Sequence, residues 1–454
     1  MSTIKGDSYK NIILYWLPEI VSMSILLAVP SIIDSLIIAS LKSVTTFGAL
    51  GMATNVLITL TKLAEAVPVA SIAFIGRFNG SGDFKKCGEY FYNTFWITFI
   101  LGISQFILIM FGAKSIFRCL GVSDKMTNIG IPFLQLKSLG IILILSAMVF
   151  VGFMRAVKNT HIPMIINVIG IGLFIFFDYS LVLGKFGFAA HGLIGSAIAS
   201  IIQYTVMNLI ALAYVLFNNN YLKYFPNFLK SCFDIKKIIQ IVSLSWPIII
   251  DKTTISLSHL WLVTLITPMG KYAIVSYNVI RNLDMFAFIP VMASAQIITF
   301  LVSNRLGAKD IDGAIANIKK LMVITALTFI PILIILSIGS HYFINLFDPK
   351  NKFTDFAVIA LPFINLMAIF DGLQVVLAGA LRGAGDVKAV MWGRFCVCAF
   401  FFGPVSWIIS HLQIQSIIIK FTLVYSSFFV ATALISLIYI RRLRGNFWRI
   451  LDKN

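Results

Sequence analysis

Asp34, Asp178 and Asp371 each stand inside a long apolar run, with no lysine or arginine three or four residues away. An ionised group at the centre of a membrane helix costs about 2.5–3.5 kcal/mol on insertion scales, so such a group is expected to face a cavity or a partner. A carboxylate in an apolar cavity can take up a proton, or hold a sodium ion through its oxygens. Either event changes its charge, and a cationic guest competes for the same negative site. Two ligands contending for one buried charge give exchange. Asp371 precedes the turn at Arg382 by 11 residues, roughly 16 Å along a helix, which is about mid-bilayer. Asp34 and Asp178 fall at similar depth in the first half of the chain, which lets them converge.

Other ionisable residues share the apolar segments: Lys62, Glu65, Lys137, Asp251, Lys252, Arg281, Asp284 and Arg394. Lys62 and Glu65 stand three apart on one helix face, as do Arg281 and Asp284. Each couple reads either as mutually neutralised or as a polar wall of a cleft. Asp251 and Lys252 are adjacent and point to different faces, so each needs a partner from elsewhere. Lys137 and Arg394 have no local partner, and the sequence assigns them none. Pro30, one turn before Asp34, removes a backbone hydrogen bond and bends the helix, either as a packing kink or to free a carbonyl beside the carboxylate.

The elements that carry these residues follow from composition. The chain has 454 residues, 59% hydrophobic and 12% charged, with mean hydropathy +0.94. Apolar runs long enough to cross a bilayer recur throughout, which predicts an all-α polytopic membrane protein. Polar breaks divide it into spans at 13–40, 47–75, 91–112, 129–153, 161–183, 192–217, 239–266, 272–302, 321–346, 356–380, 389–411 and 416–440. The first apolar segment runs past the length of a signal core. The net charge of +18 lies in short loops rather than on one face, which argues against nucleic acid as a partner. About 22 Lys and Arg fall on the side of the N-terminus and about 9 on the other, which places both termini in the cytoplasm. The expected location is the bacterial inner membrane. The five cysteines show no disulfide spacing, Cys396 and Cys398 read as small buried hydrophobes, and no metal site is expected among them. The five histidines are scattered, and none forms a metal-hydrolase motif, so an enzyme is not expected.

The halves repeat. "GFMRAVKNT" at Gly152–Thr160 matches "GALRGAGDV" at Gly379–Val387, and "GRFNGSGD" at Gly76–Asp83 matches "SNRLGAKD" at Ser303–Asp310, both at an offset of about 227 residues. Residues 1–217 then form a first lobe of six spans, 218–238 a basic, aromatic cytoplasmic linker at the membrane surface, 239–440 a second lobe, and 441–454 a basic tail. Such pseudo-symmetric parallel repeats place a substrate cleft between them and support alternating access. Arg155, Gly379 and Arg382 of the repeated turns read as gating or structural residues. Arg382→Ala is expected to harm folding or gating rather than substrate affinity.

Three places carry a distinctive pattern. Span one has Pro18 and, sixteen residues later, Asp34, followed by "FGALGMA" at Phe47–Ala53. Spans five and six read "DYSLVLGKFGFAAHGLIGSAIAS" from Asp178 to Ser200. Span ten reads "DGLQVVLAGALRGAGD" from Asp371. These stretches resemble the multidrug and toxic compound extrusion (MATE) family, and the likeness covers essentially the whole chain. It implies two six-helix lobes, a V-shaped central cavity, and export of cationic or amphipathic compounds driven by inward H⁺ or Na⁺, without a cofactor.

By position, Asp34 and Asp178 resemble the family's first-lobe cation site, with Ser200 as an added oxygen, and Asp371 its second-lobe carboxylate. Sodium, where used, would sit at Asp371 or at Asp34 and Asp178. The pattern departs in two places. Phe174 stands where the family often has Asn, and Thr254 and Ile255 stand where NorM-like members have Glu, with Asp251 as an imperfect substitute. Fewer oxygen ligands favour protons. Glu65, Arg281, Asp284, Phe174 and Phe177 complete the cavity candidates, the aromatic rings as faces for organic cations. The expected partners are the lipid bilayer and a small organic cation, with the protein a monomer. Lys62, Arg281 and Arg394 keep open a flippase for a lipid-linked sugar or polysaccharide precursor.

Overall fold

The structure, a computed structural model, describes residues 6–41, 43–121, 123–225, 233–348 and 352–449, with the side chains of 27–32, 44 and 449 outside that description. Pro30 is one of these, and so is the linker portion at 226–232. All regular structure among the described residues is helical. The long helices are α1 (Tyr9–Ala39), α2 (Val44–Ala64), α3 (Ala66–Ser81), α4 (Phe84–Cys119), α5 (Asp124–Ala156), α6 (His161–Leu183) and α7 (Leu193–Phe217) in the first half. A four-residue α8 (Asn219–Leu222) follows. The second half holds α9 (Ile235–Ile266), α10 (Lys271–Ala287), α11 (Ile289–Gly307), α12 (Ile311–Ile338), a short α13 (Ser340–Asn345), α14 (Thr354–Gly383), α15 (Val387–Val397), α16 (Gly403–His411) and α17 (Ile417–Arg444). Eleven helical stretches among the described residues are long and apolar enough to cross a membrane, and the 31-residue α1 is a twelfth long helix. The chain is a polytopic α-helical membrane protein with six spans in each half.

Two spans that read as continuous are broken. Span two divides at Glu65, three residues before Pro68, and span eight at Phe288, two residues before Pro290. Proline has no N–H to give and crowds the preceding turn, so a rung of the ladder is lost there, while Val69 N still bonds Glu65 O and Met292 N still bonds Phe288 O. Span eleven carries a π turn, Cys398–Phe402, between α15 and α16.

The repeated motifs are matched turns. Gly82 and Lys309 both adopt positive φ, at 80° and 58°, and so do Lys158 and Gly385, at 64° and 82°. Asp83 N bonds Phe78 O at 3.0 Å, and Asp310 N bonds Arg305 O at 2.9 Å. Asn159 N bonds Met154 O, and Asp386 N bonds Leu381 O, both at 2.9 Å. Each is a helix end closed by a left-handed residue. Asp83 and Asp310 then cap the next helix, accepting from Lys86 N at 3.2 Å and Gly313 N at 2.7 Å. Capping explains why the aspartate recurs in both halves.

The chain forms two compact units, Leu17–Ser245, and Met1–Trp16 with Trp246–Asn454. In the first unit Ile38, Ala49, Ala53, Phe117, Phe133, Leu145 and Ala197 form a fully buried cluster. In the second, the N-terminal segment is held by Asp7, which accepts from Asn317 Nδ2 at 2.7 Å and pairs with Arg305 at 3.0 Å.

Lipid offers no hydrophobic drive between helices, so packing depends on close approach of small residues. On α14, a Cβ at Gly379 would lie 2.6 Å from Ala295 O, and one at Gly383 would overlap Thr299 O. Thr299 Oγ1 donates to Gly379 O at 3.0 Å across the same contact with α11. Gly383→Val is therefore expected to destabilise the second unit by about 3 kcal/mol, the upper end for overpacking. The check is the midpoint of thermal unfolding of the detergent-solubilised protein.

Candidate functional site

In the first unit, α1, α5, α6 and α7 bring four polar side chains together. Lys137 Nζ of α5 lies 3.5 Å from Asp34 Oδ2 of α1. Ser196 Oγ of α7 donates to Asp34 Oδ1 at 2.9 Å. Asp178 of α6 has Asp34 and Lys137 as charged neighbours and Ser196 as its polar one. Asp178 is fully buried, and neither of its oxygens meets the geometry of a hydrogen bond. A bare, buried carboxylate is costly unless something neutralises it.

A glycine makes the cluster possible. A Cβ on Gly195 would lie 2.7 Å from the carbonyl of Leu181, so α7 comes this near α6 only because it has none. Ser196 follows directly and reaches Asp34. The Lys137 ammonium also lies 4.9 Å from the centre of the Phe133 ring, which further compensates its charge.

The other first-half candidates stand around this group. Phe174 is buried one turn before Asp178 and supplies no oxygen. Phe177 is half-buried and meets Phe176 and Phe188 edge-on, at 5.2 and 6.2 Å between ring centres. Ser200 donates within its own helix to Ser196 O at 3.0 Å. Glu65 is half-buried at the break between α2 and α3.

In the second unit a chain of bonds links four side chains to Asp371. Asp251 of α9 accepts from Arg382 Nη2 on one oxygen and from Arg394 Nε on the other, the latter at 2.5 Å. Arg394 Nη2 donates to Gln374 Oε1 at 2.9 Å, and Gln374 Nε2 donates to Asp371 Oδ1 at 2.9 Å. Asp284 of α10 is buried and accepts from the Tyr425 hydroxyl at 3.3 Å, while its Oδ1 has no partner. Asp371 is its acidic neighbour. Arg281 does not neutralise Asp284, the first of the two readings their spacing allowed. It is exposed and lies against the Tyr277 hydroxyl, because α10 turns the two side chains to different surroundings. Thr254 Oγ1 donates back to Ile250 O at 2.8 Å. Thr254, Ser258, Trp261, Cys398 and Phe402 line a cavity of about 480 Å³ beside the π turn.

The two repeated arginines do the same work. Arg155 grips Glu19 of α1 through Nε at 2.7 Å and Nη2 at 2.8 Å, and Glu19 is fully buried. Arg382 grips Asp251 of α9. In each unit, an arginine at the end of the fourth span ties down an acid on the first span of that half. Glu19 and Ser196 are not among the residues that the sequence singles out, and no spacing in the sequence gives Lys137 its partner. Glu19 had a signal, since a fully apolar setting beside Pro18 demanded a cation and Arg155 was the repeat's own arginine.

Comparison with known proteins fits this architecture. The MatE family model matches residues 20–180 and again 247–408, one stretch in each half. A probable multidrug resistance protein NorM of Mannheimia succiniciproducens is 24% identical over 393 residues, covering 83% of this chain and 81% of the relative. Among solved structures, a mutant of the Vibrio cholerae MATE transporter VcmN superposes with a TM-score of 0.88 at 16% identity, over 97% of this chain and 98% of that one. A MOP superfamily transporter from Pyrococcus furiosus, described as having a binding pocket of reverse polarity, gives 0.85 at 17% identity over 97% and 96%. The family match spans most of both halves and coincides with the repeated turns and the buried acids, and the chain belongs to the MATE family of membrane transporters.

Proposed function

We propose that this protein exports cationic or amphipathic organic compounds by alternating access, in exchange for inward H⁺ or Na⁺, from a bacterial inner membrane with both termini in the cytoplasm. The observation that carries the reading is Asp178, fully buried with both oxygens bare beside Asp34. Two carboxylates and one ammonium leave that cluster one negative charge in excess. A proton or a sodium ion removes the excess, and an organic cation attracted to the same acidic interior competes with it. Asp371, Asp284 and the neighbouring Tyr425 offer a second acidic group. Asp251 is given a structural role, because both of its oxygens are already held by guanidinium groups. The halves act as lobes with the sequence bounds 1–217 and 239–440, except that residues 1–16 belong to the compact unit of the second half.

The test is transport by purified protein in proteoliposomes loaded with a fluorescent organic cation, with a sodium gradient and a proton gradient imposed separately. Export driven by either gradient supports the reading, and movement indifferent to both contradicts it. A second reading, a flippase for a lipid-linked sugar precursor, is favoured by the exposed Lys62 and Arg281, which would suit a pyrophosphate. Such a protein would leave the organic cation in place and move a fluorescent polyprenyl-pyrophosphate between leaflets.

A further inference from the structure

Lys137 is the unusual member of the first-unit cluster. Its ammonium lies 3.5 Å from Asp34 Oδ2, over the ring of Phe133. Ser196 donates to the other Asp34 oxygen. Both Asp34 oxygens are thus engaged before any ion arrives. A hard metal cation wants about six oxygen ligands in a close shell. Among the described side chains of this cluster, the oxygens without a hydrogen bond are the two of Asp178, and Phe174, one turn away, adds none. An incoming metal ion would also stand near a fixed positive charge in a medium of low dielectric, where repulsion is little screened.

We propose that the Lys137 ammonium is the resident cation of this cluster: it fills the place a metal ion would take beside Asp34 and makes the site select protons over sodium. This rests on the exchange reading above and names its ion at the first-unit site. The step is a proton transfer alone. A proton from water bonds to an Asp178 carboxylate oxygen, and the Asp34, Asp178 and Lys137 cluster goes from one net negative charge to none. Release reverses it. Lys137 acts as a specificity-determining residue, since its charge decides which ion the neighbouring acid can accept.

The test needs no transport substrate, so it can fail while the exporter reading stands. Radioactive sodium binding is measured on the purified full-length protein at neutral pH, and the part removed by Asp178→Asn is taken as first-unit binding. The expected result is no such component in the wild type or in Lys137→Arg, and a stoichiometric one in Lys137→Gln, where the fixed charge is gone. Sodium binding in the wild type that Asp178→Asn abolishes overturns the proposal. So does a folded Lys137→Gln that binds no sodium. Should Lys137→Gln not fold, the wild type and Lys137→Arg still decide it, because sodium binding by either contradicts a resident ammonium.

Discussion

Asp178→Asn and Asp34→Asn are each expected to reduce ion-driven export to the level of empty vesicles while leaving membrane insertion and the folded state intact. The reason is charge. Asparagine keeps the shape of aspartate but can neither gain a proton nor compete for a cation, so the cluster loses its exchangeable negative charge. The two variants differ in what they leave behind. Asp178→Asn leaves the Asp34–Lys137 pair at 3.5 Å undisturbed and removes a bare carboxylate, so its thermal stability should hold or rise. Asp34→Asn strips Lys137 of its nearest acid and leaves Asp178 as the remaining one, so some stability should be lost. Export at the wild-type rate in both variants, measured in the same proteoliposomes, would refute the roles given to them.

The second large effect concerns the arginine clamps. Arg155→Met leaves the fully buried Glu19 without its bidentate partner, and breaking a buried pair from one side costs about 3–5 kcal/mol. The expected outcome is a large fall in the yield of folded protein and in its unfolding midpoint. Glu19→Gln combined with Arg155→Met should recover most of the loss, because no uncompensated charge remains. Arg382→Ala should be the milder lesion, since Arg394 still holds one oxygen of Asp251 at 2.5 Å. Equal damage from Arg155→Met and from the double variant would show that the clamp matters through packing rather than charge.

The fold was legible because its signals are local. Apolar runs gave the spans, and the 227-residue repeat marked turns that the structure builds with a left-handed residue at the same position in both halves. Breaks at Glu65 and Phe288 were signalled by Pro68 and Pro290, but both segments were apolar enough to read as single spans. Pairing between helices was not legible. Lys137 meets Asp34 across 103 residues, and Arg394 meets Asp251 across 143. Which face each helix turns to its neighbours is set by packing, as where Gly195 admits Leu181, and no spacing within one segment encodes it. Arg281 and Asp284 show the reverse: of the two readings their i,i+3 spacing left open, mutual neutralisation is overruled by tertiary structure, which turns Arg281 to an exposed position.

The central claim is that buried carboxylates exchange a small ion for an organic cation. Proteoliposomes holding a trapped pH-sensitive dye, with the voltage clamped by an ionophore, test it most directly when the organic cation is added on one side. Protons should move opposite to the cation in the wild type and not in Asp178→Asn. Cation movement with neither proton nor sodium counterflow would contradict it.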